Sequence, residues 1–171
     1  MKLTITPARL SGAVTPPPSK SQAHRCLIAA ALAGEGSVLH NLADSQDIQA
    51  TRRCMTELKT KSDQLPRLDC GESGSTLRFL IPVALALRGG GVFTGHGRLM
   101  ERPQQPYFDL FNEKGIRYEQ RDGVLTVEGA LAPGAYRLPG DVSSQFFTGL
   151  LFALPLLDGP SVIIPTTRLE S

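Results

Sequence analysis

Amine, hydroxyl and guanidinium groups crowd one short stretch, Pro16-Pro17-Pro18-Ser19-Lys20-Ser21-Gln22-Ala23-His24-Arg25. Three prolines hold the backbone extended and cannot continue a helix. Ser19 then stands where an N-cap belongs, ahead of an apolar run at residues 26–33. Lys20 and Ser21 therefore fall in a first helical turn, where unpaired amides and the helix dipole favour an anion. Arg25, four residues after Ser21, lies on the same face one turn further in. Such a set can hold a phosphate or a carboxylate; an ordinary capped helix with solvated charges is the plain alternative.

Two more turns of this kind follow. Gly71-Glu72-Ser73-Gly74-Ser75-Thr76 precedes an apolar run at 77–87, and Pro139-Gly140-Asp141-Val142-Ser143-Ser144-Gln145 precedes one at 146–157. Each of the three runs ends at glycines (Gly34 and Gly36, Gly89 to Gly91, Gly159) and leads into a β-branched stretch at 37–40, 92–94 or 161–164. One unit is thus written three times. Its apolar helices show little polar face, which predicts burial on most sides. Between copies lie helices with one wet face, at 45–60 and 103–114. A hairpin follows at 116–128 around Asp122-Gly123, then a short strand at 136–138. The unit reads β-α-β-α-β-β, an α/β (α+β) class. The first copy lacks the hairpin and the third stops after one strand, so about two and a half units are expected. Residues 1–14, with a strand-like Leu3-Thr4-Ile5-Thr6, belong to none of them.

Composition excludes several classes. At 171 residues, with 41% hydrophobic and 20% charged, the chain is of soluble globular type. A net charge of +2 offers no bulk attraction to nucleic acid or a membrane surface, and no basic, aromatic-studded face is visible. Cys26, Cys54 and Cys70 are odd in number and lack metal-ligand spacing, which reads as free thiols in a reducing cytoplasm. His24, His40 and His96 likewise show no metal spacing and are expected to be structural; no metal is expected. The apolar runs are too short to cross a bilayer.

Four ordered motifs carry a resemblance: Ser19-Lys20-Ser21 with His24-Arg25; Gly71-Glu72-Ser73-Gly74-Ser75-Thr76-Leu77-Arg78; Arg98-Leu99-Met100-Glu101-Arg102-Pro103; and Val142-Ser143-Ser144-Gln145-Phe146. In these the chain resembles the N-terminal portion of the 5-enolpyruvylshikimate-3-phosphate synthase (3-phosphoshikimate 1-carboxyvinyltransferase) family. The resemblance implies an enolpyruvyl transferase-like fold, an inside-out α/β barrel whose repeated βαβαββ units surround buried parallel helices. It implies that residues 15–171 form most of a shikimate-3-phosphate-binding domain. Residues 1–14 would supply a strand to a second domain, the missing C-terminal one, which holds the rest of the cleft. The implied reaction transfers the enolpyruvyl group of phosphoenolpyruvate to the 5-hydroxyl of shikimate-3-phosphate and releases phosphate, in the pathway to chorismate and the aromatic amino acids. No cofactor is implied, and the whole enzyme would be cytoplasmic and monomeric.

Carried over residue by residue, Lys20 matches the family's lysine that touches phosphoenolpyruvate and moves protons. Ser21 and Arg25 match ligands of the shikimate-phosphate ring hydroxyl and carboxylate. Ser143, Ser144 and Gln145 match the turn that holds its phosphate, and Ser171 a further serine on that side. Gly74 matches the glycine beside the phosphoenolpyruvate and glyphosate pocket, and Arg98 the arginine that binds the phosphoenolpyruvate phosphate. Glu72 departs from the asparagine of many relatives, and is expected either to turn away and pair with a cation or to mark a sequence subtype. The family's catalytic carboxylates lie beyond the matched portion, so the chain alone is expected to bind weakly and turn over nothing. Arg78 is expected to be a salt-bridged structural residue, Arg102 and Arg121 solvated, and Tyr107 and Phe108 core. Two rivals stand beside this reading. One is a non-catalytic binding or folding unit. The other is a UDP-N-acetylglucosamine enolpyruvyl transferase, against whose nucleotide pocket the Val142-Ser143-Ser144-Gln145 turn argues.

Overall fold

Helix α3 (Gly74–Arg88) is the axis of the molecule, because its sequence leaves it almost no wet face: Leu77, Leu80, Ile81, Val83 and Ala84 are wholly buried. A computed structural model of the chain describes residues 2–169. On one side of α3 lies a four-stranded sheet of β1 (Arg67–Asp69), β2 (Gly90–Thr94), β3 (Arg117–Arg121) and β4 (Val124–Glu128). Its order is β1-β2-β4-β3, with β1 parallel to β2 and both remaining pairs antiparallel. The register stacks Leu68, Phe93 and Leu125 in one row, and all three are fully buried. Helix α4 (Gln105–Lys114) connects β2 to β3. The order β1-α3-β2-α4-β3-β4 is one whole βαβαββ unit. The hairpin turns at Asp122 and Gly123, both in the left-handed region (φ 51° and 75°). Strand β1 is absent from the sequence reading: three residues with Leu68 alone buried are too few for any period to show.

The third copy gives β5 (Ala135–Leu138), α5 (Ser144–Ala153) and β6 (Val162–Pro165), with β5 and β6 paired in parallel. Helix α5 lies against α3, and Gly149 permits the approach. A methyl group there would stand 2.6 Å from the Arg78 carbonyl oxygen and 3.0 Å from Cγ of Pro82, and would also strike the Tyr107 hydroxyl. Tyr107, fully buried from α4, shares its hydroxyl proton between the carbonyls of Arg78 (2.8 Å) and Phe146 (3.0 Å). Burial pushes its pKa well above the usual tyrosine value, so the group stays a donor. Tyr107 is core, as expected, and so is Phe111; Phe108, expected in the core as well, is only half-buried and stacks on Tyr118.

The first copy differs. Helices α1 (Lys20–Ala33) and α2 (Gln46–Lys59) form, but no strand follows α1. Val38 is 73% exposed, and so is most of the segment before α1, where Leu3 and Ile5 are irregular and open. A strand exists through its ladder, and neither stretch meets a partner strand among the described residues. Burial on most sides holds for α3 but fails for α1, which buries only Ala23, His24 and Ile28. Helix α2 has the expected single wet face, with Ile48, Cys54, Met55 and Leu58 inward. Among the described residues no helix is long and apolar enough to cross a membrane.

Candidate functional site

Four helices start at one end of the molecule, each capped by a serine hydroxyl. Ser19 accepts from the Gln22 amide, Ser45 from Ile48, Ser73 from Thr76 and Ser143 from Gln145. Helix starts leave amides unpaired and share a positive dipole end, so gathering them concentrates affinity for negative charge.

At the start of α1, the Lys20 amine meets the Asp47 carboxylate of α2 at 2.8 Å, in a pair open to water. Arg25 donates to the Ser21 carbonyl at 3.0 Å and to the Ser21 hydroxyl, and its guanidinium stands 5.6 Å from the Phe79 ring centre of α3. Lys20, Ser21 and Arg25 are thus held together, as their spacing predicts.

The starts of α3 and α5 are joined directly. The Gln145 amide donates to the Ser75 hydroxyl at 3.0 Å, and its carbonyl oxygen accepts from Arg78 at 2.9 Å. Arg78 also donates to the Pro103 carbonyl at 3.2 Å and stacks 4.8 Å over Phe146. Its partners are therefore neutral, and the expected salt bridge does not form among the described residues. The chain places a glutamine and a carbonyl where a carboxylate would have to stand. Burial, and then the Arg102 charge, lower the Arg78 pKa from its usual value, though a guanidinium so placed stays charged.

Arg102 follows a 3-10 turn (Leu99–Glu101). It is exposed, as expected of a solvated arginine, yet it reaches back over α3. A methyl group on Gly74 would stand 2.9 Å from its guanidinium and 3.9 Å from the Gln145 side-chain oxygen. No sequence signal marks that return; the proximity follows from the turn. Arg98 instead extends outward, 88% exposed, and pairs with Glu101 at 3.1 Å. The two arginines line one recess of about 350 Å³ with Glu101 and Pro103. Glu72 is exposed and makes no ion pair among the described residues, contrary to expectation. Its carboxylate lies over Gly97, about 3.1 Å from where a methyl group there would sit, a place with no cation in contact.

Ser143 and Ser144 stand half-buried at the start of α5 beside Gln145. Ser171 lies outside the described residues. The α1 group and the α3/α5 group are bridged by a buried polar chain. Nδ1 of His24 is 2.7 Å from the Thr51 hydroxyl, which is 2.7 Å from that of Thr76, which donates to Ser73 at 2.7 Å. His24 is therefore structural in the sense predicted. His96 is exposed, with its ring 3.6 Å from Asp69. Among the described residues no cluster of histidine, cysteine or acidic side chains could hold a metal ion.

Arg78 and Arg102 stand close enough to repel, and neither pairs with a carboxylate among the described residues, an arrangement suited to an anion.

Residues 5–170 match the family model described as EPSP synthase (3-phosphoshikimate 1-carboxyvinyltransferase). The 3-phosphoshikimate 1-carboxyvinyltransferase of Clostridium beijerinckii is 44% identical to this chain, over 99% of the chain and 45% of the relative. That of Clostridium kluyveri is 46% identical, over 99% and 44%. The chain thus spans less than half the length of the curated relatives it matches. An EPSP synthase structure from Acinetobacter baumannii covers 94% of this chain and 41% of its own, with a TM-score of 0.74 at 21% identity. This chain shares the fold of that structure.

Proposed function

The chain belongs to the EPSP synthase family, and on that premise we propose that its joined helix starts bind shikimate-3-phosphate for a carboxyvinyl transfer. The reading rests above all on Arg78 and Arg102, two unneutralised guanidinium groups at the shared start of α3 and α5. Like charges held together repel until a dianion sits between or before them, and guanidinium forks suit phosphate and carboxylate oxygens. Ser143, Ser144 and Gln145 take the substrate phosphate; Ser21 and Arg25 take its ring hydroxyl and carboxylate.

Phosphoenolpyruvate sits over Gly74, where the missing side chain leaves room. Its phosphate falls to Arg102, which lies against Gly74, with Arg98 at the rim of the same recess. In the reaction the 5-hydroxyl gives up its proton and its oxygen bonds to C2 of phosphoenolpyruvate, while the double-bond pair takes a proton at C3. Loss of phosphate and of a C3 proton then restores the double bond. Lys20 serves that proton traffic, released from Asp47 when substrate anions compete for it. Residues 15–171 make up most of the shikimate-3-phosphate domain, and residues 1–14 contribute a strand to the other one. The whole enzyme works in the cytoplasm as a monomer without a cofactor.

Calorimetric titration of the purified chain with shikimate-3-phosphate tests this. Weak saturable binding that Arg25→Ala and Arg102→Ala each reduce at least about tenfold supports it, as the loss of one charged contact requires. Absence of binding would favour an inert folding unit. Measurable phosphate release from both substrates by this chain alone would contradict the binding-only role.

A further inference from the structure

We propose that His24, Thr51 and Thr76 are positioning residues, whose buried hydrogen-bonded chain sets where α1 starts relative to α3 and hence where Lys20 and Ser21 stand relative to Gly74. The proposal rests on the reading of the helix starts as an anion site.

Apolar packing does too little to place α1. It buries only Ala23, His24 and Ile28, so one of its three buried side chains is an imidazole. That imidazole is 1% exposed and spends its polarity on a single partner, Thr51. Its Nε2 is buried and makes no hydrogen bond among the described residues. A leucine would fill such a space without leaving a buried polar atom unsatisfied. The imidazole is therefore explained by what its other nitrogen does.

That nitrogen begins a run of three contacts of 2.7 Å through Thr51 and Thr76 to Ser73, the N-cap of α3. Each contact needs one proton, and a hydroxyl donates once while accepting from two neighbours, so either tautomer of His24 can satisfy all three. With Nε2–H the donors run from Ser73 back to the ring; with Nδ1–H the ring donates to Thr51, and a threonine proton not needed in the run turns to the Asp47 carbonyl. Satisfied either way, the run is a buried polar network that joins three helices. Both threonine hydroxyls also lie within reach of the Asp47 carbonyl, at 3.2 and 3.4 Å, and the carboxylate of that residue holds Lys20. The chain thus fixes Lys20 twice, through the backbone of α1 and through Asp47.

The test uses Thr51→Val and Thr76→Val, which keep the shape and delete the hydroxyl, with His24→Leu and His24→Asn. Asparagine reaches Thr51 with a polar atom in the place of Nδ1. Inorganic phosphate affinity, measured well below the melting transition, should fall about tenfold in Thr51→Val and His24→Leu and return to near wild type in His24→Asn. Unchanged affinity in all variants, with only a lower Tm, overturns the proposal. Should the wild-type chain bind no phosphate, the reading of the site fails, and amide hydrogen exchange decides the positioning role by itself. Protection at residues 23–28 of α1 should then drop about tenfold in Thr51→Val while that of α5 stays unchanged. Equal loss in both helices, or loss in neither, overturns it.

Discussion

Helices α1 and α5 begin alike and end differently. Each follows a turn, each is capped by a serine, and each is mostly apolar beyond its first turn. Helix α5 sinks against α3 and buries Phe146, Phe147, Leu150 and Ala153, whereas α1 lies on the surface with most of its alanines at least partly open. The difference lies in their neighbours. Helix α5 lies along α3, with a glycine where the two meet; α1 leans on α2, and among the described residues its copy forms no strand after it. Apolar fit locates α5. A run of hydroxyls and one imidazole locates α1. The polar groups at the two starts nonetheless belong to one candidate site, so one half of it stands on packing and the other on polar geometry.

The largest blow to this contrast should come from Gly149→Ala. Its methyl group would meet a backbone carbonyl and a buried hydroxyl, neither of which can yield cheaply. A loss of about 3 kcal/mol, or roughly 10 °C in Tm, is expected by thermal unfolding. A fall below about 1 kcal/mol would mean that the α3/α5 contact is looser than described.

A matched pair of truncations comes next. Leu80→Ala in α3 removes a wholly buried side chain and should cost about 3 kcal/mol; Leu27→Ala in half-buried α1 should cost about 1 or less. Equal costs would erase the distinction.

Acidification separates the two regions more gently. Burial lowers the His24 pKa from its usual 6.5; Asp47 opposes that shift, and Lys20 and Arg25 add to it. The unfolded chain therefore takes up the proton first as pH falls. The contribution is whole above about pH 6.5 and is lost below it, at no more than about 1.4 kcal/mol per pH unit. His24→Asn should flatten that slope in urea titrations at several pH values, and an unchanged slope would show that the ring is not the titrating group.

The smallest effect on stability is expected from Gly74→Ala, because the nearest neighbour is the free end of a flexible arginine. Tm should move by no more than about 1 °C. Displacement of Arg102 should nevertheless weaken phosphate binding severalfold, and unimpaired binding would remove Arg102 from the site.

Much of this was legible in the residues alone. The Ser19 cap, the hydroxyl-rich starts at 73–76 and 143–145 and the Asp122-Gly123 turn are local events, decided within a few positions. The repeat in which Gly74 and Gln145 occupy matching turns is local too, and so is the family resemblance it carries. The misreadings concern partners. Strand β1 was invisible because a three-residue strand is defined by its neighbour β2. A buried guanidinium needs acceptors, which implies a salt bridge at Arg78, and no local pattern reveals that a glutamine 67 residues away supplies one instead. Arg102 is solvated, as the sequence implies, but its return over Gly74 follows only from the path of the 3-10 turn.

By itself, then, the sequence determined where helices start, which faces are apolar and which anion-seeking groups stand at each start. Those features depend on propensity, capping and period, which act over one or two turns. Tertiary structure alone decided that α3 and α5 close upon each other at Gly149, that α1 stays outside, and that two arginines meet without a carboxylate. Such outcomes depend on which surfaces meet, and the free energy of meeting belongs to pairs of elements distant along the chain.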